Sequence, residues 1–298
     1  MHVLVGLTFA GGGASGGAHI GVLQALTEGG IHPEIVSGTS SGAMVAGLYA
    51  ADNSIEDMLS TLPTLNRRYL DPDTSLLTFW TKRERKGGLL RGDRLEHFIF
   101  EKTKGIALRD VKKPLAIVAT DMQNGREIVF SSRPCPSPSI QALNERAIAL
   151  WDTEEDITLA RAIRASISIP LVFQPVMFNQ RILADGGLID NCPVEPARAL
   201  GADFVIASDT ITPFLRLPSR LSLRPRHLFQ QMVNIGLARH AALSSRTADI
   251  FLTPPVGPIG ALQFDRLTAV AEAGYAYTKE RMDTILRILD EKQRKERL

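Results

Sequence analysis

The feature that most constrains this chain is a local grammar used twice in its first fifty residues: a short apolar run, a glycine-containing turn, then an apolar helical pattern. The first unit runs from Val3 to Ala10 through Gly11-Gly12-Gly13-Ala14-Ser15-Gly16-Gly17 into Ala18, Ile20, Val22, Leu23, Ala25 and Leu26. The second takes Glu34-Ile35-Val36, with Pro33 as a candidate first strand residue, through Gly38-Thr39-Ser40-Ser41-Gly42 into the apolar stretch Ala43 to Ala50. Strand, turn and helix repeated in this order predict an α/β chain with a mostly parallel sheet between helices.

The second turn carries chemistry. Gly-x-Ser-x-Gly between a strand and a helix forces the serine onto a tight turn, and the glycines remove the Cβ atoms that would block helix against strand. Ser40 is therefore the candidate nucleophile. The first turn admits two readings. Gly11, Gly13 and Gly16 fit the spacing Gly-x-Gly-x-x-Gly, whose amides and helix N-terminus suit a pyrophosphate. A dinucleotide site also wants an acid at the end of the next strand, and here that strand runs into the serine turn, with Glu34 at its start. No lysine follows the glycines as a phosphate loop requires. The same amides suit the oxyanion formed when a serine attacks an ester carbonyl.

A base is the remaining need. Asp185, in Leu183-Ala184-Asp185-Gly186-Gly187, falls at the end of a strand expected over Arg181 to Ala184, paired through Asn179-Gln180 with one over Val172 to Phe178. The histidines are His2, His19, His32, His97, His227 and His240, and none occupies the late strand-to-loop position of a triad histidine. His19 and His240 both read as helical, structural residues.

Four blocks in this order resemble the patatin-like phospholipase family in its bacterial cytoplasmic form: Gly11 to Leu23, Gly38 to Gly42, Arg164-Ala165-Ser166-Ile167-Ser168-Ile169-Pro170, and Asp185-Gly186-Gly187 with Asn191 and Pro193. The resemblance implies a three-layer α/β/α patatin-type fold and a serine acyl hydrolase that cleaves phospholipid or lysophospholipid esters through an acyl-enzyme. Ser40 would be nucleophile, Asp185 proton acceptor, and the amides of Gly11, Gly12, Gly13 and Ala14 the oxyanion hole, with Gly16, Gly38, Gly42, Gly186 and Gly187 supporting the motifs. Family members commonly carry a cation where this chain has Ser15, which leaves open a regulatory or binding protein of the same fold with weak or no catalysis.

The 298 residues, 44% hydrophobic and 22% charged with a formal charge of +2, suit one α/β domain over 1–298 and single out no charged partner. Cys135 and Cys192 are too few for a disulfide framework, and no Cys/His cluster has metal-ligand spacing, so no metal and no cofactor are expected. The basic patch Arg216 to His227 lacks interleaved aromatics, so no nucleic-acid partner is expected. The start of the chain lacks a basic, cleavable leader and no apolar run reaches the ~20 residues that span a bilayer. A cytoplasmic location with at most peripheral membrane contact is the expectation; oligomeric state is not legible. Two insertions are expected, near 67–92 and 131–156, the first with an apolar tip beside Lys82-Arg83-Glu84-Arg85-Lys86 that reads as a lid, a bilayer-docking element or a solvated loop. From about 264 the apolar spacing predicts a C-terminal helix on the sheet, ending in a charged, frayed Asp290 to Arg297.

Overall fold

The computed structural model describes residues 2–73, 87–134, 147–150, 157–211 and 225–296. In chain order the elements are β1 (Val5–Phe9), α1 (Ala18–Glu28), β2 (Ile35–Thr39), α2 (Ser41–Ala50), α3 (Ile55–Thr61), β3 (Gly88–Leu90), α4 (Asp93–Lys102), β4 (Leu115–Asp121), β5 (Arg126–Ser131) and β6 (Ala147–Leu150). They continue with α5 (Leu159–Ser166), β7 (Leu171–Phe173), β8 (Val176–Phe178), β9 (Arg181–Asp185), α6 (Val194–Ala199), β10 (Phe204–Ser208), α7 (Pro225–Thr247), β11 (Ile250–Leu252), α8 (Leu267–Glu280) and α9 (Met282–Lys295).

The main sheet has the order β11-β10-β1-β2-β4-β5-β6, parallel from β11 to β4, with β5 antiparallel to β4. Its central strands are apolar on both faces because both are covered. Leu7, Phe9, Val36, Ile117, Phe204 and Ile206 face a core built with α1, α2 and α5. Their neighbours Ala10, Ile35, Ala116, Val118, Val205 and Ala207 face a smaller core that includes Val194 and Ala197 of α6. The result is the expected α/β/α layering.

One register decides where the chemistry falls. β5 occupies one edge of β4, so β2 and β9 share the other: Thr39 pairs with Val118, and Asp185 of the antiparallel β9 pairs with the next residue, Ala119. Two strands distant in sequence thus meet end to end, and the turn after Thr39 faces the end of β9.

Several expectations change. The strand expected over Val172 to Phe178 is two. Pro175 has no N–H for a ladder, and the Gln174 amide donates instead to the Leu90 carbonyl at 2.8 Å. β7 pairs with β3 in a separate small sheet, while β8 and β9 form the hairpin, with Asn179 and Gln180 both at positive φ (46° and 61°) as a two-residue turn requires. The C-terminal helix is α8 and α9, separated at Arg281, whose ψ of 2° leaves the helical range. α8 packs on α1 rather than on the sheet. A Cβ on Gly21 would lie 1.9 Å from the Ala271 carbonyl oxygen, and one on Gly274 would lie 2.2 Å from that of Ala18, so only glycine permits this crossing. The charged end is helical to Lys295, held by buried Ile285 and Leu289 and by the Lys292–Glu296 ion pair at 3.0 Å. Residues 147–150 of the second expected insertion form the edge strand β6 beside β5. The apolar and basic stretch 74–86, Cys135 and most of the basic patch from Arg216 lie outside the described residues.

Candidate active site

Ser40 sits between the last residue of β2 and the first of α2, at φ 54° and ψ −124°. A non-glycine residue is costly there, and the conformation persists because strand and helix fix both sides of it. Its side chain does not cap α2. The Ser40 hydroxyl instead donates to Asp185 Oδ2 at 2.6 Å. The other carboxylate oxygen, Oδ1, accepts the Gly187 amide at 2.8 Å. Both side chains are withdrawn from bulk solvent, with Ser40 5% and Asp185 7% exposed. Burial pushes the Asp185 carboxyl up to about 6, although the bonds from Ser40 and Gly187 pull it down. At neutral pH the group is ionised, and it is a stronger base than a solvated aspartate.

The elbow is braced by a residue to which the sequence gave no role. Ser166, fully buried at the end of α5, accepts the Ser40 amide at 2.8 Å and donates to the Val118 carbonyl at 2.6 Å. It sits in the block Arg164-Ala165-Ser166 that carried the resemblance, which was the available signal. Two residues on, the Ser168 carbonyl accepts the Asp185 amide at 3.0 Å, so one segment holds both partners of the dyad. Ser166→Ala is expected to leave the Ser40 amide unpaired, to cost about 1–3 kcal/mol, and to lower kcat roughly tenfold with KM little changed. Calorimetry and ester kinetics on the same preparation check both.

The glycine turn arches over the serine. The Gly11 amide donates to the Asn191 carbonyl at 3.0 Å and the Ala14 amide to the Ala261 carbonyl at 2.9 Å, so these two of the four expected oxyanion donors are occupied structurally. The amides of Gly12 and Gly13 have no partner among the described residues. Asn191 Nδ2 returns a bond to the Gly11 carbonyl at 3.3 Å, tying the segment after Asp185 to the turn. Ser15 is buried, donates to the Gly12 carbonyl and pairs with the Thr210 hydroxyl, both at 2.8 Å. It fixes the turn instead of lining the cavity. Gly38 and Gly42 pack backbone to backbone at the elbow, Gly16 against Ser41, and Gly186 against the Val118 carbonyl.

Neither nearby histidine enters the dyad. His19 Nε2 donates to the Ala10 carbonyl at 2.8 Å, Nδ1 pairs with the Ser208 hydroxyl at 2.9 Å, and burial lowers its pKa to about 4, so it is a neutral tie between β1 and β10. His240, in α7, is half-buried near the Gly187 carbonyl, and burial likewise favours its neutral form. Cys192 is buried, and its thiol is pushed well above the ordinary range by burial first and then by Asp209 and Asp190, as expected of an inert packing residue.

Ser40 and Ser41 are among the residues lining a cavity whose wall is almost wholly apolar, including Ile20, Met44, Leu62, Leu65, Leu95 and Phe173, together with the turn residues Gly13, Ala14 and Gly16. Among the described residues no cluster of three His, Cys, Asp or Glu side chains could hold a metal.

Fold and site together define an α/β protein with a mostly parallel sheet, a strained elbow serine bonded to a buried aspartate, and a glycine turn beside them. The chain belongs to the patatin-like phospholipase family, whose sequence model matches residues 7–198. It is 32% identical over 207 residues to an uncharacterised NTE family protein of Mycobacterium tuberculosis, covering 68% of this chain and 48% of that protein. It is 27% identical over 314 residues to a lysophospholipase of Emericella nidulans, covering 93% of this chain and 18% of the fungal protein. The chain thus spans about half the length of the first relative and less than a fifth of the second. Among solved structures it is similar to VipD from Legionella pneumophila, at a TM-score of 0.46 and 16% identity over 95% of this chain and 67% of that one.

Proposed function

We propose that this chain is a serine acyl hydrolase that cleaves the carboxylic ester of a phospholipid or lysophospholipid through a Ser40–Asp185 dyad. The observation that carries the reading is the 2.6 Å bond from the Ser40 hydroxyl to a buried carboxylate at an apolar cavity. Asp185 Oδ2 takes the Ser40 proton as Oγ bonds to the ester carbon, and the carbonyl electron pair moves onto oxygen to give a tetrahedral oxyanion. In this reading the amides of Gly12 and Gly13, unpartnered among the described residues, receive that charge. Collapse breaks the carbon–oxygen bond to the alcohol, which leaves with the proton from Asp185. Water, deprotonated by the same carboxylate, then attacks the acyl-enzyme and releases the fatty acid and free Ser40.

The apolar wall supports an acyl chain as the group bound in the cavity, since burying it removes water from the dyad and sustains the raised basicity of Asp185. Leu89 and Leu171, 62% and 60% exposed on the paired strands β3 and β7, support peripheral contact of this rim with a lipid surface, because Phe173 of the same strand lines the cavity. No described helix is long and apolar enough to cross a membrane.

A fluorophosphonate probe is expected to label the wild-type chain at Ser40, Ser40→Ala to abolish labelling, and His240→Ala to retain lysophospholipid hydrolysis. Absence of labelling that Ser40→Ala cannot reduce further would point to a binding role for the fold, and loss of activity in His240→Ala would overturn the dyad.

A further inference from the structure

Ser41 follows Ser40 as the first residue of α2, and its Oγ has neither solvent nor a hydrogen-bond partner among the described residues, although the residue lines the cavity. Buried hydroxyls without partners are costly and uncommon, so one at a reacting centre calls for an occupant. The surroundings say where that occupant would lie. A Cβ on Gly11 would stand 3.0 Å from Ser40 Cβ, and a Cβ on Gly16 only 2.3 Å from Ser41 Oγ. Gly11 therefore packs against Ser40 and Gly16 against Ser41, and Gly12 and Gly13, whose amides have no partner among the described residues, lie between them in the turn. The other hydroxyl of the turn, Ser15, is committed to the Gly12 carbonyl and Thr210. The N-terminus of α2, left uncapped by Ser40, adds a positive potential at the same place.

Resting on the acyl hydrolase reading, we propose that Ser41 is a catalytic residue: its hydroxyl donates a hydrogen bond to the ester carbonyl oxygen as that oxygen becomes an anion, beside the amides of Gly12 and Gly13. Ser41 forms no covalent bond and loses no proton. Its orphan state in the free protein ends when the tetrahedral intermediate forms.

The test uses the full chain, a fluorophosphonate probe, whose phosphoryl oxygen gains charge during attack as a carbonyl does, and a p-nitrophenyl acyl ester. Ser41→Ala is expected to lower both the second-order labelling rate and kcat about 10²-fold, with KM within twofold and a melting temperature at or above that of the wild type. Ser41→Thr, which keeps the hydroxyl, is expected to recover most of that loss. A Ser41→Ala enzyme within twofold of wild type in kcat, or one whose loss lies in KM alone, overturns the proposal, as does a folded Ser41→Thr no faster than Ser41→Ala. Failure of the underlying reading is distinguishable: the wild type itself would then show no labelling that depends on Ser40.

Discussion

Asp185→Asn is expected to lower kcat by about 10³-fold and at the same time to raise the melting temperature. The first effect is loss of the carboxylate that accepts the Ser40 hydroxyl, the proposed base. The second follows from burial. With its folded pKa raised to about 6 from an ordinary value near 3.8, the carboxylate costs the folded state about 3 kcal/mol at neutral pH relative to a solvated one. Asparagine carries no such charge. Because the folded pKa lies above the unfolded one, the wild type feels this cost fully above pH 6 and is relieved of it as the pH falls below 4. The melting-temperature gap between variant and wild type should therefore close between pH 6 and pH 4. Ester hydrolysis by the wild type should fall on an acid limb centred near pH 6, where Asp185 becomes protonated. A gap that is independent of pH, or an acid limb that shifts in His240→Ala but not with Asp185, would show that another group titrates.

Gly42→Ala is expected to be strongly damaging for a single added methyl group. A Cβ there would lie 2.2 Å from the Phe9 carbonyl oxygen and 2.6 Å from that of Ala10, both main-chain atoms of or next to the central strand β1. Neither side can yield without moving a strand or a helix, so a cost of about 3 kcal/mol is expected. α2 carries the elbow, and its displacement should slow fluorophosphonate labelling of the surviving folded protein by roughly 10²-fold. The same substitution at Gly236, in the exposed interior of α7 where a Cβ meets nothing within 4 Å, should stabilise by about 0.5–1 kcal/mol. Opposite signs for one chemical change separate a close-approach glycine from a merely flexible one, and denaturant titrations of the two variants check both.

The two residues of the proposed dyad were legible to different degrees. A serine between two glycines at a strand-to-helix boundary has one compact geometry, whereas an aspartate at a strand end before two glycines is common in ordinary turns, and Asp185 stood out only through the wider block that carries the resemblance. The oxyanion turn was legible as an anion site but not amide by amide. Which N–H groups remain free depends on Asn191 and Ala261, far along the chain. Ser166 and Ser41 were invisible as actors for the same reason: a serine in a helix pattern carries no sign of whether its hydroxyl is spent or spare.

The sequence by itself determined the alternation of strands and helices, the two glycine turns and Ser40 as the candidate nucleophile, because these follow from periodicity and from the steric demands of glycine over a few residues, whereas Asp185 as its partner was implied only by the family resemblance. Only the tertiary structure decided that β9 meets β2 end to end along one edge of β4, that Pro175 diverts β7 into a second sheet, and that the C-terminal helices close on α1 through Gly21 and Gly274. Those outcomes turn on pairing and close approach between segments as far apart in sequence as Ala18 and Gly274, where local propensity is silent and the competition is settled by which backbone groups find partners and which surfaces fit.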